Sequence, residues 1–464
     1  MTSGIRKWAL RAAAAPLLAL AISPSAASAE TAPALRAALQ AAAEPGLARF
    51  YGPRHYRPIW VKNGFLVPEA ARMIAMTRDA ELDGMVSARE LASELERAVN
   101  RAGSGDPRDQ AYAELMLSRA LVGYVETLRR PADAGAGMVY ADSAVAPSVP
   151  FRTAILSDAA AAPSLSAHLD KVSTVNPLYS QLRSALATLR DQPARVFDAA
   201  ATSGFGEDPR QIERRLKLNL ERARALPVSQ SGRYVLVDAV SARLWLYEDG
   251  KPRDSMKVII GKPSEPTPMV ASMIRTAVLN PYWNVPPDLV RKKVAPKVLE
   301  EGLGYLKKSR YEVLSDWTEN AVAVDPETID WQAVAAGHEE LRVRQLPGAG
   351  NSMGDMKFMF PNEFGVYLHD TPDKALFAQA DRKLSSGCVR VEDAARLAKW
   401  LFGTTPRAPS SAPEQVVALP EPVPVYITYL TVDWDGERLA LRDDPYSRDS
   451  DRNRRFASAM AGSD

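Results

Sequence analysis

The residues best suited to chemistry lie in the second half of the chain, around its single cysteine, Cys388. A thiol is a strong nucleophile as the thiolate, and a neighbouring imidazole can take its proton. Of the four histidines, His55 and His168 belong to a helical half, whereas His338 and His369 share a β-rich half with the cysteine. His369 precedes Cys388 by 19 residues and ends an apolar stretch typical of a strand. A strand, an excursion and a return would bring the two side chains together.

Gly387 stands directly before the cysteine and permits a sharp backbone turn. Such a turn could expose the sulfur and aim two backbone N–H groups at a developing oxyanion. Together these residues predict nucleophilic acyl transfer at a thiol.

Composition limits the other possibilities. The 464 residues suggest two or three folded units, and 46% hydrophobic with 25% charged residues is typical of a globular protein. The formal charge of +2, from 58 basic and 56 acidic residues, disfavours a protein that neutralises nucleic acid. One cysteine and scattered histidines make a structural zinc site implausible.

The first 29 residues resemble a secretory signal peptide. Basic residues precede an apolar run over residues 12–22, and the small-residue sequence Ala27-Ser28-Ala29 follows. We expect cleavage after Ala29 and export to the periplasm, with no stable membrane span in the mature protein. An uncleaved anchor is the alternative, although the run is only about half the ~20 residues that span a bilayer.

Hydrophobic periodicity predicts a helical region from residue 30 to 228 and a β-rich region from 229 to 447. Predicted helices cover residues 68–78, 87–99, 106–130, 177–190, 209–225 and 392–402, with an irregular connection over 131–166. Predicted strands cover residues 234–238, 243–247, 255–260, 274–279, 321–324, 357–360, 365–369 and 425–432. Asp249-Gly250 indicates a hairpin, and the six prolines between residues 404 and 425 indicate a connecting segment. Residues 286–350 form a predicted insertion with basic clusters, and residues 448–464 a predicted disordered tail.

The segments around His369 and Cys388 resemble the signature of L,D-transpeptidases with a YkuD-type catalytic domain. In that family a histidine is followed, after a variable gap, by Ser/Thr-x-Gly-Cys and often arginine, as in Ser385-Ser386-Gly387-Cys388-Val389-Arg390. The similarity extends to residues 279–286, 357–362 and 364–372. The resemblance implies an α+β protein: a helical N-terminal scaffold region, then a β-rich, β-sandwich-like catalytic domain with an inserted capping subdomain.

The resemblance implies roles for individual residues. Cys388 would be the nucleophile and His369 its general base, and the N–H groups of Gly387 and Cys388 would form the oxyanion hole. On an extended segment Arg390 points to the same side as Cys388 and could hold a substrate carboxylate, and Tyr367 shares a face with His369. Asp370 does not, so we predict that a backbone carbonyl orients the imidazole. The remaining candidates for substrate binding are Ser386, Tyr282, Trp283 and Asn284.

The family reaction consists of two acyl transfers. The thiolate attacks the carbonyl of the third residue of a tetrapeptide stem and expels D-Ala, and an amine then resolves the thioester. The implied partners are peptidoglycan stem peptides, and no metal or organic cofactor is required. The acceptor amine stays open: a diamino acid of another stem, giving 3-3 cross-links, a free D-amino acid, or an outer-membrane protein.

Two departures and two alternatives accompany this prediction. Many relatives have histidine where Ser386 stands, and residues 191–209 are too short for the peptidoglycan-binding module of long relatives. A catalytically inactive wall-binding scaffold protein is one alternative. The other is a serine hydrolase that uses Ser352, since Gly350-Asn351-Ser352-Met353-Gly354 matches a G-x-S-x-G motif that requires a helix after the serine.

Overall fold

A computed structural model describes residues 26–130, 137–193, 208–227, 232–436 and 438–449. Most of the predicted signal peptide, the stretch 194–207 and the tail from residue 450 lie outside the described residues. The described chain divides into two compact units. One unit takes in Met1–Asp79, Ser87–Gly123 and Phe151–Ser166, and the other Ala80–Val86, Tyr124–Pro150 and Ala167–Asp464.

The first unit is built from helices and one small hairpin. Its helices are α1 (Ala26–Ala42), α2 (Pro45–Tyr51), α3 (Glu69–Asp79), α4 (Ala88–Ala102), the first part of α5 (Pro107–Arg129) and α6 (Arg152–Ala161), and strands β1 (Val61–Lys62) and β2 (Phe65–Leu66) form the hairpin. In α4, alanines and a leucine at helical spacing bury one face of the helix, at Ala92, Leu95 and Ala98.

The predicted irregular connection over 131–166 is wrong from residue 152 onward. Helix α6 occupies Arg152–Ala161, and the next helix begins at Leu165. Helix α6 buries Ile155, Leu156 and Ala159. Its many alanines blur the apolar period and the prolines on either side suggest a loop, which is why the pattern was misleading.

The second unit contains helices α8 (Pro177–Asp191) and α9 (Pro209–Arg224) and most of helix α7 (Leu165–Ser173), from Ala167 onward. Asn176 begins α8 by accepting the N–H of Tyr179 at 2.9 Å, and Asp208 begins α9 by accepting that of Arg210 at 3.0 Å. Both caps precede a proline at the first helical position, where its missing N–H costs nothing. None of the helices in the described ranges is long and apolar enough to cross a bilayer.

A large mixed sheet forms the core of the second unit. Its strands are β3 (Val139–Tyr140), β4 (Arg233–Asp238), β5 (Arg243–Glu248), β6 (Lys251–Gly261), β7 (Val270–Leu279), β12 (Met356–Met359), β13 (Leu368–His369), β14 (Lys383–Ser385), β15 (Val389–Val391) and β16 (Gln415–Thr428). They pair in the order β12-β13-β15-β6-β5-β4-β16-β7-β3, with β14 beside β6. Strand β12 also pairs with β7, so the pairing closes into a ring. Helices and a β-rich sheet in one chain confirm the predicted α+β class.

Turns in this sheet follow the expected chemistry. Asp249 and Gly250, both with positive φ (51° and 73°), connect β5 to β6 as the hairpin signal predicts. Helix α14 (Ala394–Phe402), labelled after the four helices of the insertion, starts where Asp393 accepts the N–H of Arg396 at 2.9 Å.

A smaller four-stranded sheet lies between β7 and β12 in the sequence. Its strands are β8 (Trp283–Val285), β9 (Tyr311–Leu314), β10 (Ala323–Val324) and β11 (Arg342–Gln345), in the order β10-β9-β11-β8. It is accompanied by α10 (Pro287–Leu289), a π-helical turn (Val290–Val294), α11 (Ala295–Glu301), α12 (Gly304–Lys308) and α13 (Trp331–Ala336). Residues such as Val290, Val313 and Val343 form a separate apolar core, so this segment folds around its own centre.

The proline-rich connecting segment is a second wrong prediction, because strand β16 already begins at Gln415. Residues 425–428 of β16 pair with β4, whereas residues 415–418 and 423–424 pair with β7 alone. Pro420 and Pro422 fall in the register shift between Ala418 and Val423. Proline is tolerated on such an open edge and at such a bulge because no ladder N–H is needed there. The chain then forms the hairpin β17 (Val432–Trp434) and β18 (Leu439–Leu441).

Candidate active site

Two short parallel strands bring the predicted residues together. Strand β13 pairs with β15 so that Leu368 lies opposite Val389 and His369 opposite Arg390. Leu368 and Val389 are both fully buried in the sheet core. Since side chains alternate along a strand, Tyr367, His369, Cys388 and Arg390 share the other face. We call these four residues the strand-pair cluster.

The thiol of Cys388 is half-buried and lies against backbone. Its Sγ is 3.9 Å from the carbonyl oxygen of Gly365, and the hydroxyl of Tyr367 is a hydrogen-bond partner of the sulfur. Burial raises the pKa of the thiol, and the backbone and hydroxyl contacts of Tyr367 and the charge of Arg390 oppose that rise. The sulfur is therefore a protonated thiol near neutral pH.

His369, the residue predicted to be the general base, is buried with its imidazole held by one backbone carbonyl. The residue is 2% exposed, and Nδ1 lies 2.6 Å from the carbonyl oxygen of Asp370. A carbonyl only accepts, so Nδ1 carries the proton and Nε2 presents a lone pair. Burial, and next the charge of Arg390, lower the pKa of His369 to about 3, which keeps the ring neutral.

The backbone carbonyl predicted to orient the imidazole is confirmed. The carboxylate of Asp370 points elsewhere: it accepts from Lys374 Nζ at 2.6 Å and from the N–H of Asp355 at 3.0 Å. Sequence proximity alone would have chosen the carboxylate, and the alternation of the strand excludes it.

The loop before the nucleophile is strained in the way the glycine predicted. Gly387 has a φ of 109°, a conformation that side chains disfavour. Its N–H donates to Ser385 Oγ at 3.2 Å, and that hydroxyl donates to the Cys388 carbonyl at 2.6 Å. The Gly387 N–H, one of the two predicted oxyanion donors, thus has a partner within its own loop in this conformation. The roles of both N–H groups stay predictions.

Arg390 keeps unused hydrogen-bonding capacity. Its Nη1 is 3.9 Å from Asp373 Oδ2, too long for a hydrogen bond. Its Nε is buried and has no partner among the described residues. A guanidinium in this state fits the predicted binding of a substrate carboxylate.

Two regions of the chain match known protein families. Residues 232–425 match the family described as the YkuD L,D-transpeptidase catalytic domain, and residues 45–186 match the family described as a scaffold domain. Residues 232–425 are therefore similar to the YkuD-type L,D-transpeptidase catalytic domain. The strand-pair cluster lies within the part of the chain that this catalytic domain covers.

The comparisons also find one similar protein and two solved structures. A Haemophilus influenzae protein named "Putative L,D-transpeptidase" is 27% identical over 419 residues, which is 88% of this chain and 79% of that protein. Two solved structures are each 14% identical with a TM-score of 0.21: an Ldtfm–avibactam carbamoyl enzyme and an L,D-transpeptidase from Mycobacterium smegmatis. The matches cover 44% and 42% of this chain, and this chain spans 51% and 59% of theirs.

The loop residue Ser386 connects the loop that carries Cys388 to the insertion. Ser386 is exposed, and its hydroxyl is hydrogen-bonded to the carboxylate of Glu265. That carboxylate also lies 3.1 Å from Lys262 Nζ and 3.9 Å from Lys292 Nζ, which belongs to the π-helical turn of the insertion. The insertion therefore contacts the residues that hold the nucleophile loop.

The other predicted binding residues divide between two places. The N–H of Tyr282 donates to Glu414 Oε1 at 2.7 Å, and Glu414 also pairs at 3.1 Å with Lys357, which lies opposite His369 in β12. Trp283 packs against the core of the insertion, with its ring 6.3 Å from that of Tyr311. Asn284 is exposed on β8. The structure thus connects Tyr282 to the catalytic strands through its backbone, and Trp283 has the environment of a core residue.

Sequence reasoning missed three buried or half-buried supports of this site, namely Thr267, Glu265 and Lys357. Each lies on a strand or loop distant in sequence from Cys388, and only the sheet pairing brings them near. No local motif signals such placement.

The serine-hydrolase alternative is contradicted by the structure. Ser352 lies in a turn and is followed by strand β12 rather than by a helix, so the nucleophile elbow is missing. His338 is exposed at the end of α13 in the insertion. Across the described ranges, no group of three or more potential metal-binding side chains occurs.

Proposed function

We propose that this protein is a peptidoglycan L,D-transpeptidase that uses Cys388 as its nucleophile. The observation that supports this most directly is the pair formed by a protonated thiol and a neutral imidazole on one face of adjacent strands. The matched catalytic domain supplies the reaction class, and the named relative agrees with it.

Acylation proceeds by addition and elimination at the donor carbonyl. Nε2 of His369 takes the thiol proton, and the sulfur forms a bond with the carbonyl carbon of the third stem residue. The carbonyl electron pair becomes an oxyanion, which the Cys388 N–H binds. When the pair returns, the C–N bond breaks, and the imidazolium gives its proton to the departing D-Ala amine.

The second transfer reverses these roles. An amine of another stem attacks the thioester while His369 accepts its proton, and the thiol leaves after regaining that proton. The product is a 3-3 cross-link when the acceptor is a diamino acid side chain. Only groups of this chain and the two peptides take part in the scheme.

The location and partners follow from the substrate. Peptidoglycan stems lie outside the inner membrane, and the N-terminal segment is of the kind that directs export. We therefore propose a periplasmic protein whose signal peptide is removed, acting on donor and acceptor stem peptides. An outer-membrane protein as acceptor is an extension of the same chemistry.

The insertion is proposed to cover the donor peptide. Its basic side chains include Lys292, which reaches Glu265 beside the nucleophile loop, and Arg344, whose guanidinium lies 4.2 Å from the ring centre of Tyr282. Cationic groups at the rim of the site would attract anionic stems.

Mass spectrometry of the mature protein with a carbapenem tests the proposal. A strained lactam carbonyl takes the place of the donor carbonyl, so we expect a stable adduct on Cys388 that is absent in Cys388→Ala. Ser352→Ala is the matched control and should retain the adduct. A folded wild type that stays unmodified would contradict the enzyme and favour the inactive scaffold. Muropeptide analysis of a deletion strain identifies the acceptor.

A further inference from the structure

The peptide group between Gly387 and Cys388 has its carbonyl oxygen fixed by a hydrogen bond, and its N–H is the oxyanion donor of the proposed reaction. The carbonyl oxygen of Gly387 accepts a hydrogen bond of 2.8 Å from the Thr267 hydroxyl. A trans peptide is planar, so its C=O and N–H point in opposite directions. Fixing the carbonyl therefore fixes the direction of the Cys388 N–H, the oxyanion donor of the proposed reaction.

The Thr267 hydroxyl has no freedom to point elsewhere. It accepts the N–H of Gly261 at 2.8 Å, so its single hydrogen is available for the Gly387 carbonyl. Thr267 is fully buried and does not reach a substrate. Because the hydroxyl both accepts and donates a hydrogen bond, it links strand β6 rigidly to the loop that carries Cys388.

The turn that carries Thr267 is itself tightly packed. A Cβ on Gly261 would lie 2.2 Å from the carbonyl oxygen of Glu265, closer than real side chains come. The N–H of Lys262 donates to the Ser385 carbonyl at 2.9 Å. The turn over residues 261–267 and the loop over residues 385–388 therefore form one unit.

The C-terminal segment, residues 444–449, holds the same turn from outside the sheet. The Tyr446 hydroxyl donates to the Gly261 carbonyl at 2.6 Å, and Arg448 donates to the Thr267 carbonyl at 2.9 Å. Asp449 anchors the segment through Arg222 at 2.6 Å and Arg215 at 3.1 Å, both on helix α9. These contacts hold Thr267 in place through groups distant from any substrate.

We propose that Thr267 is a positioning residue that aims the Cys388 N–H at the oxyanion by binding the Gly387 carbonyl, and that the C-terminal segment keeps it there. This inference rests on the proposed function. It concerns the transition state: the sulfur–carbon bond forms, the thiol proton passes to His369, and the carbonyl oxygen gains the charge that this N–H binds. Substrate binding and thiol exposure do not depend on the direction of that N–H.

Two reactions of the same sulfur separate this role from a general structural one. Acylation by a carbapenem develops an oxyanion, whereas alkylation by iodoacetamide displaces iodide at a saturated carbon and develops none. In Thr267→Val, which keeps the shape and removes the hydroxyl, we expect acylation to slow by roughly 100-fold, the usual effect of losing one oxyanion donor. Alkylation should stay within about twofold of wild type, since its rate depends on the thiol alone.

Three further variants complete the design. Thr267→Ser retains the hydroxyl and should acylate at nearly the wild-type rate. Thr428→Val is the matched control, because Thr428 is also fully buried in the catalytic sheet and its Oγ1 has no partner among the described residues. Tyr446→Phe removes one contact to the turn and should slow acylation less than Thr267→Val does. In turnover of a stem-peptide substrate, the turnover number should fall and KM should stay unchanged.

Several outcomes would overturn the proposal. Acylation of Thr267→Val at the wild-type rate would show that the hydroxyl does not aim the donor, and equal losses in acylation and alkylation would show a general disturbance of the loop. If Thr267→Val does not fold, Thr267→Ala provides the same comparison. A wild type that alkylates but never acylates contradicts the enzyme itself, which distinguishes the two failures.

Discussion

The helical first unit and the catalytic unit each bury a titratable side chain among polar partners, but they differ in what those partners leave unused. In the first unit, Glu114 is fully buried and accepts from the Ile59 N–H at 2.6 Å, the Trp60 N–H at 2.8 Å and the Tyr51 hydroxyl at 2.7 Å. Ser118 completes the set with hydrogen bonds to the Tyr51 hydroxyl and the Trp60 ring N–H. We call these residues the Glu114 cluster.

In the strand-pair cluster, by contrast, some hydrogen-bonding atoms have no partner within the described residues. His369 uses Nδ1 on a backbone carbonyl and presents Nε2, and Arg390 has a buried Nε without a partner within the described residues. A fully satisfied cluster fixes one conformation, whereas a partly satisfied one has atoms left for a substrate. The number of unused hydrogen-bonding atoms therefore distinguishes the Glu114 cluster, which holds the fold, from the strand-pair cluster, which we propose performs chemistry.

The largest expected effect concerns the stability of the Glu114 cluster. Burial raises the pKa of Glu114 from 4.5 to about 7, and the hydrogen bonds from Ile59, Tyr51 and Trp60 limit the rise. The folded state then holds a proton that the unfolded state has lost, so stability should fall as pH rises from about 4.5 to about 7. The difference amounts to about 3 kcal/mol.

Glu114→Gln removes the titration and should flatten this pH dependence. Hydrogen exchange of the Ile59 and Trp60 amides at pH 5 and pH 8, corrected for intrinsic rates, measures it locally. The exposed Glu94→Gln is the control and should keep the wild-type dependence. Parallel pH curves for wild type and Glu114→Gln would show that this carboxyl is not the source.

The next effect concerns the base of the strand-pair cluster. In His369→Ala the thiol has lost its proton acceptor, so carbapenem acylation should slow by roughly 100-fold or more. The variant should also unfold at a lower temperature, because a buried ring is removed, so its folding is verified before the rates are compared. His338→Ala is the control and should acylate normally, because His338 is exposed in the insertion. Unimpaired His369→Ala with impaired His338→Ala would reassign the base.

The charge state of that base has its own signature in the pH profile. With the pKa of His369 lowered to about 3, the ring stays neutral and the acylation rate should be nearly constant from pH 8 to pH 5. A histidine that titrates near 6.5 would instead lose about thirtyfold over that range. Stopped-flow acylation across these pH values distinguishes them. A limb near pH 6.5 would show that the pKa of His369 is not lowered and would contradict a neutral ring at pH 5.

How much of this was accessible from sequence depends on whether a signal is local. The α+β class, the hairpin at Asp249-Gly250 and the orientation of His369 by a carbonyl follow from alternation, turn chemistry and apolar pattern. Helix α6 and the early start of β16 were missed because alanines and prolines weaken those same patterns. The contact of Thr267 with the Gly387 carbonyl joins residues 120 positions apart, and no local pattern signals it.

The smallest expected effect concerns the Tyr367 hydroxyl. The test asks whether this hydroxyl changes the reactivity of the Cys388 thiol or only holds the structure. The Tyr367 hydroxyl hydrogen-bonds the Cys388 sulfur and opposes the burial that raises the pKa of the thiol. Tyr367→Phe removes that opposition, so the thiol pKa should rise further and less thiolate should be present at a given pH. Alkylation by iodoacetamide near pH 8 should slow about two- to fivefold, in proportion to the thiolate fraction. Tyr282→Phe, whose ring lies against Arg344, is the matched control. Faster alkylation of Tyr367→Phe would mean that the hydroxyl shields the sulfur from the reagent. Tyr367 would then have a structural role, like the residues of the Glu114 cluster.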